Sequence, residues 1–353
     1  MKVLIDGLCL QQSGLGIRRY TNYLIDSYIK KYGRENVKVI ISKVTGDEFY
    51  DYILYNGSKR YVIKFFTFYY FLKNIDFDLF HSPANLNYLR KIKGKFYVLT
   101  MHDIMYRVVP LFYTKNRFFN FIKVRMSDIY TYVALKNSDM VLTISETTKM
   151  DVLNYFGKDS IVIPNGVDVL ISDLKDESIL KTYGLKEKSY FLYVGSNKHH
   201  KNLAFLIEAF LKSHTDKRLV LCGAKIDVLS EYGNRIIVTG HVKDQDLAVL
   251  YTNCEAYIFP SLYEGFGLPV LEALSLGAKV YSSTGGALKE FPKTIITFFD
   301  PTKKEELISL IEKTDKIDIN KSEVEKFLAN YNWKDVLNRS QSVIADRYQH
   351  FNS

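Results

Sequence analysis

The chain has 353 residues, 47% of them hydrophobic and 25% charged, which is a globular composition and a length that favours two domains over one. No stretch of about 20 apolar residues is present, which argues against a membrane-spanning helix, and Cys9, Cys222 and Cys254 are too scattered to form a metal-ligand pattern, so they read as buried thiols of a reducing compartment. The net charge of +9 is uneven: residues 1–160 carry 24 Lys and Arg against 14 Asp and Glu, whereas the remainder carries 24 against 25.

The N-terminus, Met1 to Leu10, reads as a buried strand and not a leader, because its apolar run is short and interrupted by Asp6. A loop with Gly14 and Gly16 follows. The next segment places Tyr20, Leu24, Ile25, Tyr28 and Ile29 on one helical face. Strand, glycine loop and helix are the entry of a nucleotide-type α/β unit. The spacing departs from G-x-G-x-x-G, since position 19 is Arg, so an ordinary strand-to-helix turn stands beside a ligand-approach loop. Strands are predicted at 37–42, 77–81 and 96–100. The run Phe65 to Phe71 is either a half-buried helix or an apolar surface.

Two of these strands end in histidine, His81 and His102, and ligands of open parallel sheets sit beyond the carboxyl ends of the strands. Residues 104–135 interleave Phe112, Tyr113, Phe118, Phe119, Phe121 and Ile122 with basic side chains on a predicted helix. Residues 90–125 alone hold nine Lys and Arg against Asp103, which suits either an anionic membrane surface or a solvated face over a packed helix. A strand at 140–144 leads to a helix capped by Ser145, and 161–167 is a strand with a Pro-Asn-Gly turn. Residues 168–188 are polar and read as a linker.

A second α/β set opens at Tyr190 to Gly195. The loop Ser196 to Asn202 follows, with Lys198 and Lys201, and then a helix from Leu203 to Leu211. Basic residues before a helix start form an anion cradle, with two solvated lysines as the plain alternative. Strands at 218–222 and 236–238 and a helix at 244–251 precede the most informative stretch, residues 256–277. There a strand, Ala256 to Phe259, is stopped by Pro260, and a loop with Gly265 and Gly267 enters a helix at Leu268-Pro269. Glu264 precedes that helix and Glu272 lies about one turn inside it, so two carboxylates frame a helix start with backbone N–H groups suited to an anion. Further strands at 279–281 and 294–299, and helices near 303–313 and 334–349, complete two sets of alternating strands and helices.

On these residues the chain resembles the retaining, nucleotide-sugar-dependent glycosyltransferases of family four, the "glycosyl transferases group 1" of bacterial surface polysaccharides. The resemblance is carried by GLGIRRYT (14–21), His102-Asp103, VLTISETTKMDV (141–152), VIPNGVD (162–168), YVGSNKHHKN (193–202), residues 240–274 with their E-x7-E pair, and NYNWKDV (330–336). It implies an α/β fold of two Rossmann-like, doubly wound domains facing a cleft, the GT-B fold. The expected division is an acceptor-binding domain over 1–168, a linker over 169–188, a donor-binding domain over 189–330, and a helix over 331–353 that crosses back.

The resemblance also implies roles. Glu264 lies against the donor sugar and, with His102 near sugar and acceptor, is catalytic. Glu272 bonds the ribose, and Lys201 binds the diphosphate. Ser196 stands where many relatives have Arg, which shifts the diphosphate charge onto Lys201, with Lys198 as a lesser partner. Gly265, Phe266, Gly267 and Leu268 offer backbone to sugar and diphosphate, and Gly14 and Gly16 form the approach loop of the other domain. No metal or other cofactor is expected. The expected donor is a nucleotide sugar, GDP-mannose ahead of a UDP-hexose. The expected acceptor is a saccharide or a polyprenyl-diphosphate-linked glycan, with no nucleic acid, at the inner face of the cytoplasmic membrane.

Overall fold

The computed structural model describes residues 1–11, 15–57, 61–85, 90–168, 177–223, 230–313 and 320–353. The chain forms two compact units, Met1–Gly166 with Tyr331–Ser353, and Val167–Asn330. The first runs through β1 (Val3–Asp6), α1 (Leu15–Tyr32), β2 (Val37–Ile41), β3 (Asp51–Leu54), α2 (Tyr61–Lys73), β4 (Leu79–Ser82) and β5 (Phe96–Met101). It continues with α3 (Met105–Val108), α4 (Arg117–Asn137), β6 (Met140–Thr143), α5 (Glu146–Phe156) and β7 (Ile161–Val162). The second holds α6 (Ser178–Thr182), β8 (Tyr190–Val194), α7 (Leu203–Lys212), β9 (Arg218–Cys222), β10 (Ile236–Gly240), α8 (Asp244–Asn253) and β11 (Ala256–Phe259). It ends with α9 (Leu268–Ser275), β12 (Val280–Ser283), β13 (Thr297–Phe299), α10 (Lys304–Glu312) and α11 (Lys321–Leu328). Helix α12 (Trp333–Asn352) then packs with the first unit.

Both sheets are parallel throughout, in the orders β3-β2-β1-β4-β5-β6-β7 and β10-β9-β8-β11-β12-β13. Parallel strands are covered on both faces, which requires apolar side chains at both parities. In β1, Val3 and Ile5 join the core under α1 and α12, while Leu4 points to the opposite core with Phe68 and Leu72 of α2. The α1 face carries Leu24, Ile25 and Tyr28, and α12 adds Trp333, Val336, Leu337 and Ile344. Each such side chain removed from water contributes about 1.5–3 kcal/mol. Trp333 stacks on Tyr23 with ring centroids 4.5 Å apart, so α12 is anchored by its first residue. In the second unit Phe191, Tyr193, Leu219, Leu221 and Tyr281 of the sheet pack on Leu206 and Phe210 of α7 and Leu307 of α10.

Several local features differ from the sequence reading. The segment expected as one helix over 104–135 is two, α3 and α4. Pro110 disfavours helical geometry at Val109, which is extended, Leu111 turns left-handed at φ 54°, and the Asn116 side chain accepts from the Phe119 amide to restart the helix. Gly16 lies in the first turn of α1, not in a loop, and Gly14 falls outside the described residues. In the stretch read as a linker, 169–176 also falls outside them, whereas 177–188 holds α6, with Ile179, Leu180 and Leu185 buried and the helix packed on α8. The aromatic run is the helix α2, with Phe68 and Leu72 buried and Tyr70 exposed.

Candidate functional site

In the second sheet the strand order reverses between β8 and β11, and a crevice at such a switch point is where open α/β sheets bind ligands. The loops leaving these two strands carry the predicted residues. After β8, residues His199–Lys201 make a 3-10 turn, and Asn202, left-handed at φ 54°, starts α7 while its side chain donates to the Pro301 carbonyl at 2.9 Å. After β11, Pro260 ends the strand and residues 261–267 lead into α9, with Pro in its first turn. The Leu262 amide donates to the His200 carbonyl at 2.7 Å, which ties the two loops together.

That tie brings Lys201 and Glu264 into contact. Lys201 Nζ lies 2.8 Å from Glu264 Oε1 and 4.9 Å from the centroid of the Phe259 ring, with both charged side chains largely out of water. The Glu264 backbone is fixed by a parallel bridge to Gly286 and by its carbonyl accepting from the Ala287 amide at 2.9 Å. Gly286 has φ 64°, and a Cβ there would sit 2.4 Å from the Glu264 carbonyl oxygen. No L side chain fits that approach. Ser283 Oγ donates to the Ser261 carbonyl and holds the start of the same loop.

Glu272 is half-buried, one turn inside α9, and both carboxylates act on a cluster of buried phenols. Tyr251 and Tyr257, with rings 5.2 Å apart, have pKa values pushed well above the ordinary phenol value, chiefly by burial; Glu272 adds to both and Glu264 to Tyr257. His200 is driven down to about 4 by burial, against the opposing pull of Glu264, so it is neutral near pH 7. Ser196 is half-buried and its carbonyl accepts from Tyr193 Oη at 2.9 Å, whereas Lys198 is exposed. Gly265, Phe266 and Gly267 are buried and Leu268 is half-buried at the start of α9. Lys201, Glu264 and the α9 start therefore lie in one unit, and the lysine is already paired with the carboxylate, a pairing that the separate roles read from sequence did not anticipate. The sequence reading also missed Phe259 as the lysine's platform and Gly286 as the residue that admits Glu264. Glycine 22 residues downstream of Glu264 gives no local signal.

His102 belongs to the first unit, just past β5. It is buried, and its pKa is lowered to about 4 by burial. Nε2 is 2.7 Å from the Pro83 carbonyl, which only accepts, so the proton of the neutral ring sits on Nε2 and Nδ1 carries the lone pair. Tyr20 meets the ring edge-on at 5.1 Å. Asn85, absent from the sequence reading, clamps this strand end: its Oδ1 accepts from the His102 amide at 2.7 Å and its Nδ2 donates to the Asp103 carbonyl at 3.0 Å. His81 is a core residue, with Nδ1 2.9 Å from Tyr28 Oη and Nε2 2.8 Å from Thr100 Oγ1.

Residues 175–325 match the family described as "Glycosyl transferases group 1", and residues 23–169 match "Glycosyltransferase Family 4". The O-antigen chain mannosyltransferase B of Escherichia coli is 31% identical over 231 residues, covering 60% of this chain and 58% of that protein. The O-antigen chain mannosyltransferase RfbU of Salmonella typhimurium is 24% identical over 245 residues, covering 67% of this chain and 65% of that protein. The chain thus spans less than two thirds of the length of either relative. Among solved structures, sucrose-phosphate synthase of Thermosynechococcus elongatus superposes with a TM-score of 0.77 at 15% identity, over 99% of this chain and all of that one. Anabaena HepE in complex with UDP gives 0.72 at 16% identity, over 98% of this chain and all of that one. These likenesses establish the GT-B fold of two Rossmann-like domains.

Proposed function

The chain belongs to the group 1, family 4 glycosyltransferases, and on that premise we propose that it moves a hexosyl group, with retention of anomeric configuration, from a nucleoside-diphosphate sugar to a glycan acceptor of surface-polysaccharide synthesis. The observation that supports this reading most is the Lys201–Glu264 pair beside the start of α9. A ligand carrying a diphosphate next to a sugar gives each member of the pair a new partner. Lys201 and the helix start take the phosphate charge, and Glu264 takes sugar hydroxyls and faces the positive charge that builds at the anomeric carbon. Glu272 accepts from the ribose hydroxyls. In the first unit, His102 offers neutral Nδ1 to a hydroxyl. The charge that a divalent cation would otherwise supply at the diphosphate comes from Lys201 and α9.

In the proposed reaction the bond from the anomeric carbon to the diphosphate oxygen breaks, and its electron pair leaves with the phosphate. The acceptor hydroxyl oxygen bonds to the same face of the sugar, and its proton passes to the departing phosphate oxygen. The donor is proposed as GDP-mannose, by analogy with the relatives named as mannosyltransferases. The acceptor is proposed to be a glycan carried on a polyprenyl diphosphate at the inner face of the cytoplasmic membrane. No helix among the described residues is long and apolar enough to cross a membrane; the contact is proposed for α4, which exposes Phe118, Phe119 and Phe121 beside Arg117, Lys123 and Arg125.

A melting-temperature panel of GDP, UDP, ADP and their sugar conjugates tests the donor. Stabilisation by GDP and GDP-mannose is expected, about 2.7 kcal/mol at a hundredfold excess over Kd, and the absence of a shift with every nucleotide sinks the reading. Glu264→Ala is expected to keep the GDP shift and lose about 10²–10³ in turnover. A wild-type protein that binds GDP-mannose without transferring it favours a non-catalytic sugar-nucleotide-binding protein, and a variant with unchanged turnover moves the catalytic role away from Glu264.

A further inference from the structure

Helices α1 and α12 pack side by side in the first unit, and a groove of about 620 Å³ runs between them. The helices run in the same direction. Trp333 stacks on Tyr23 at one end, and about two turns further on Lys31 Nζ donates to the Gln341 carbonyl at 2.7 Å. Between these ties the seam residues are small. Ser27 on α1, with Ser342 and Ala345 on α12, leaves open the space that longer side chains fill in a close-packed helix pair. The buried floor is Leu337 and Gln341, whose Nε2 donates to Ser27 Oγ at 3.1 Å.

The walls are polar, with positive charge in excess. Lys30, Lys31 and Lys334 line the groove with Asp26 and Asp346. Lys30 is spent on Asp26 at 2.6 Å, one turn away, and Asp346 lies 3.8 Å from His350 Nδ1. Lys31 and Lys334 have no carboxylate partner among the described residues. Lys31 loses water where it meets the Gln341 carbonyl, and its pKa is lowered by that burial. Lys334 stands in the first turn of α12, where the helix dipole adds positive potential. Trp333, only 5% exposed, lines the same end, and its Nε1 has no hydrogen-bond partner among the described residues. A buried donor without an acceptor is costly and uncommon.

We propose that the α1–α12 groove is a second ligand site and takes an organic phosphomonoester, either a sugar phosphate or a mononucleotide. Such a site is separate from the Lys201–Glu264 pair, which belongs to the other unit. Its volume falls within the roughly 300–1,000 Å³ of small-molecule sites. From Lys334 to Ala345 it follows α12 for about 16 Å, room for a phosphate and a polar body in line. The phosphate takes Lys334 and the start of α12, because lysine serves phosphate as a point charge. Ser27, Asn338 and Ser342 offer hydroxyl and amide groups to the body, Lys31 closes the far end, and the Trp333 N–H gains an acceptor. A partner helix fits less well, since helices dock by apolar anchors into apolar grooves and these walls are Lys, Asn, Ser, Asp and Gln. Trp333 also lies 6.3 Å from Tyr20, which meets His102 edge-on, so a single ring separates the groove's aromatic end from that histidine.

Trp333 is the only tryptophan in the chain, so its fluorescence reports on the groove. The whole chain is titrated with mannose 1-phosphate, with adenosine 5′-monophosphate and with inorganic phosphate, and each titration is repeated by calorimetry. A saturable response to at least one organic phosphate is expected, at lower concentration than any response to inorganic phosphate. Mannose 1-phosphate alone marks a sugar-phosphate site, and the adenosine phosphate alone marks a mononucleotide site. Lys334→Gln should weaken binding about tenfold, the scale of one charge-assisted hydrogen bond. Ser342→Phe, on the exposed seam, should fill the groove and abolish binding with little change in melting temperature. Lys201→Gln, in the other unit, should bind as the wild type does. Silence by both methods overturns the proposal, as does saturation by inorganic phosphate alone. Binding that survives both groove variants, or that Lys201→Gln removes, also overturns it by placing the ligand elsewhere. The GDP melting shift is expected in Ser342→Phe, so failure of the groove and failure of the donor reading are told apart.

Discussion

Three buried histidines link the interior of the protein to pH. His81 is lowered to about 3, and His102 and His200 to about 4, in each case chiefly because burial penalises the charged ring. In the unfolded chain these rings titrate near 6.5, so between pH 6.5 and 4 the unfolded state binds protons that the folded state refuses. Stability from these groups is therefore full above pH 6.5 and is lost as pH falls towards the folded values, by on the order of 3 kcal/mol for a fully buried ring. The melting temperature is expected to fall steadily from pH 7 to 4. His81→Asn should melt lower at pH 7, having lost a partner for Tyr28 or Thr100, but with a shallower acid slope. An unchanged slope would rule His81 out as a contributor. The same residue shows what a sequence conveys and what it does not. Strand-end position marked both His81 and His102, but hydrogen-bond partners separate them: His81 is bonded at both nitrogens inside the core, while His102 spends only Nε2 on a carbonyl. Glu264 and Lys201 stood out because glycine, proline and charge cluster around them in the chain. Their mutual contact did not, since 63 residues separate them and only the sheet order makes their loops neighbours.

At the scale of elements, the loop before α9 takes its shape from a neighbour more than from its own residues. Gly286 and Gly277 make the point by contrast. Both have positive φ, 64° and 73°, so alanine at either costs about 1 kcal/mol or slightly more in backbone strain. A Cβ at Gly277 meets nothing within 4 Å, whereas one at Gly286 sits 2.4 Å from the Glu264 carbonyl oxygen. Gly277→Ala is expected to lower stability modestly and leave donor KM unchanged. Gly286→Ala should lose more stability in urea denaturation and also raise donor KM, because Glu264 must shift. Equal effects of the two on KM would show that the bridge does not position the carboxylate. Most core strands were readable in sequence because parallel strands buried on both faces leave unbroken apolar runs. The exceptions have physical causes. β3 is a four-residue edge strand whose side chains are mostly exposed, and its Tyr52-Ile53-Leu54 run is too short to stand out between polar turns. In α11 only Val324 is buried. The break between α3 and α4 was written in Pro110 but masked by the surrounding aromatic residues.

Charge and exposed apolar surface coincide at the scale of the whole chain. Residues 1–160 hold ten more basic than acidic side chains, while the remainder is nearly balanced. Within that basic half, α4 leaves Phe118, Phe119, Phe121, Ile129 and Tyr132 between 51% and 67% exposed. Arg117, Lys123 and Arg125 lie on the same helix, and Arg125 sits 5.4 Å over the Phe121 ring. A solvated helix packing on a core has no need of these aromatics outside; an interfacial helix needs both, the rings entering the acyl boundary and the cations meeting anionic headgroups. The protein is expected to pellet with vesicles containing phosphatidylglycerol and to stay in the supernatant with phosphatidylcholine alone. Raising the salt concentration should release it, since the attraction falls off within a Debye length. Lys123→Gln should weaken pelleting about fivefold, the effect of roughly 1 kcal/mol per basic residue at a charged surface. Phe118→Ala with Phe119→Ala should weaken it with both lipids present and leave the nucleotide melting shift as it was. Equal recovery in the supernatant with and without anionic lipid would remove α4 as a membrane contact, and the basic half of the chain would then need a soluble anionic partner.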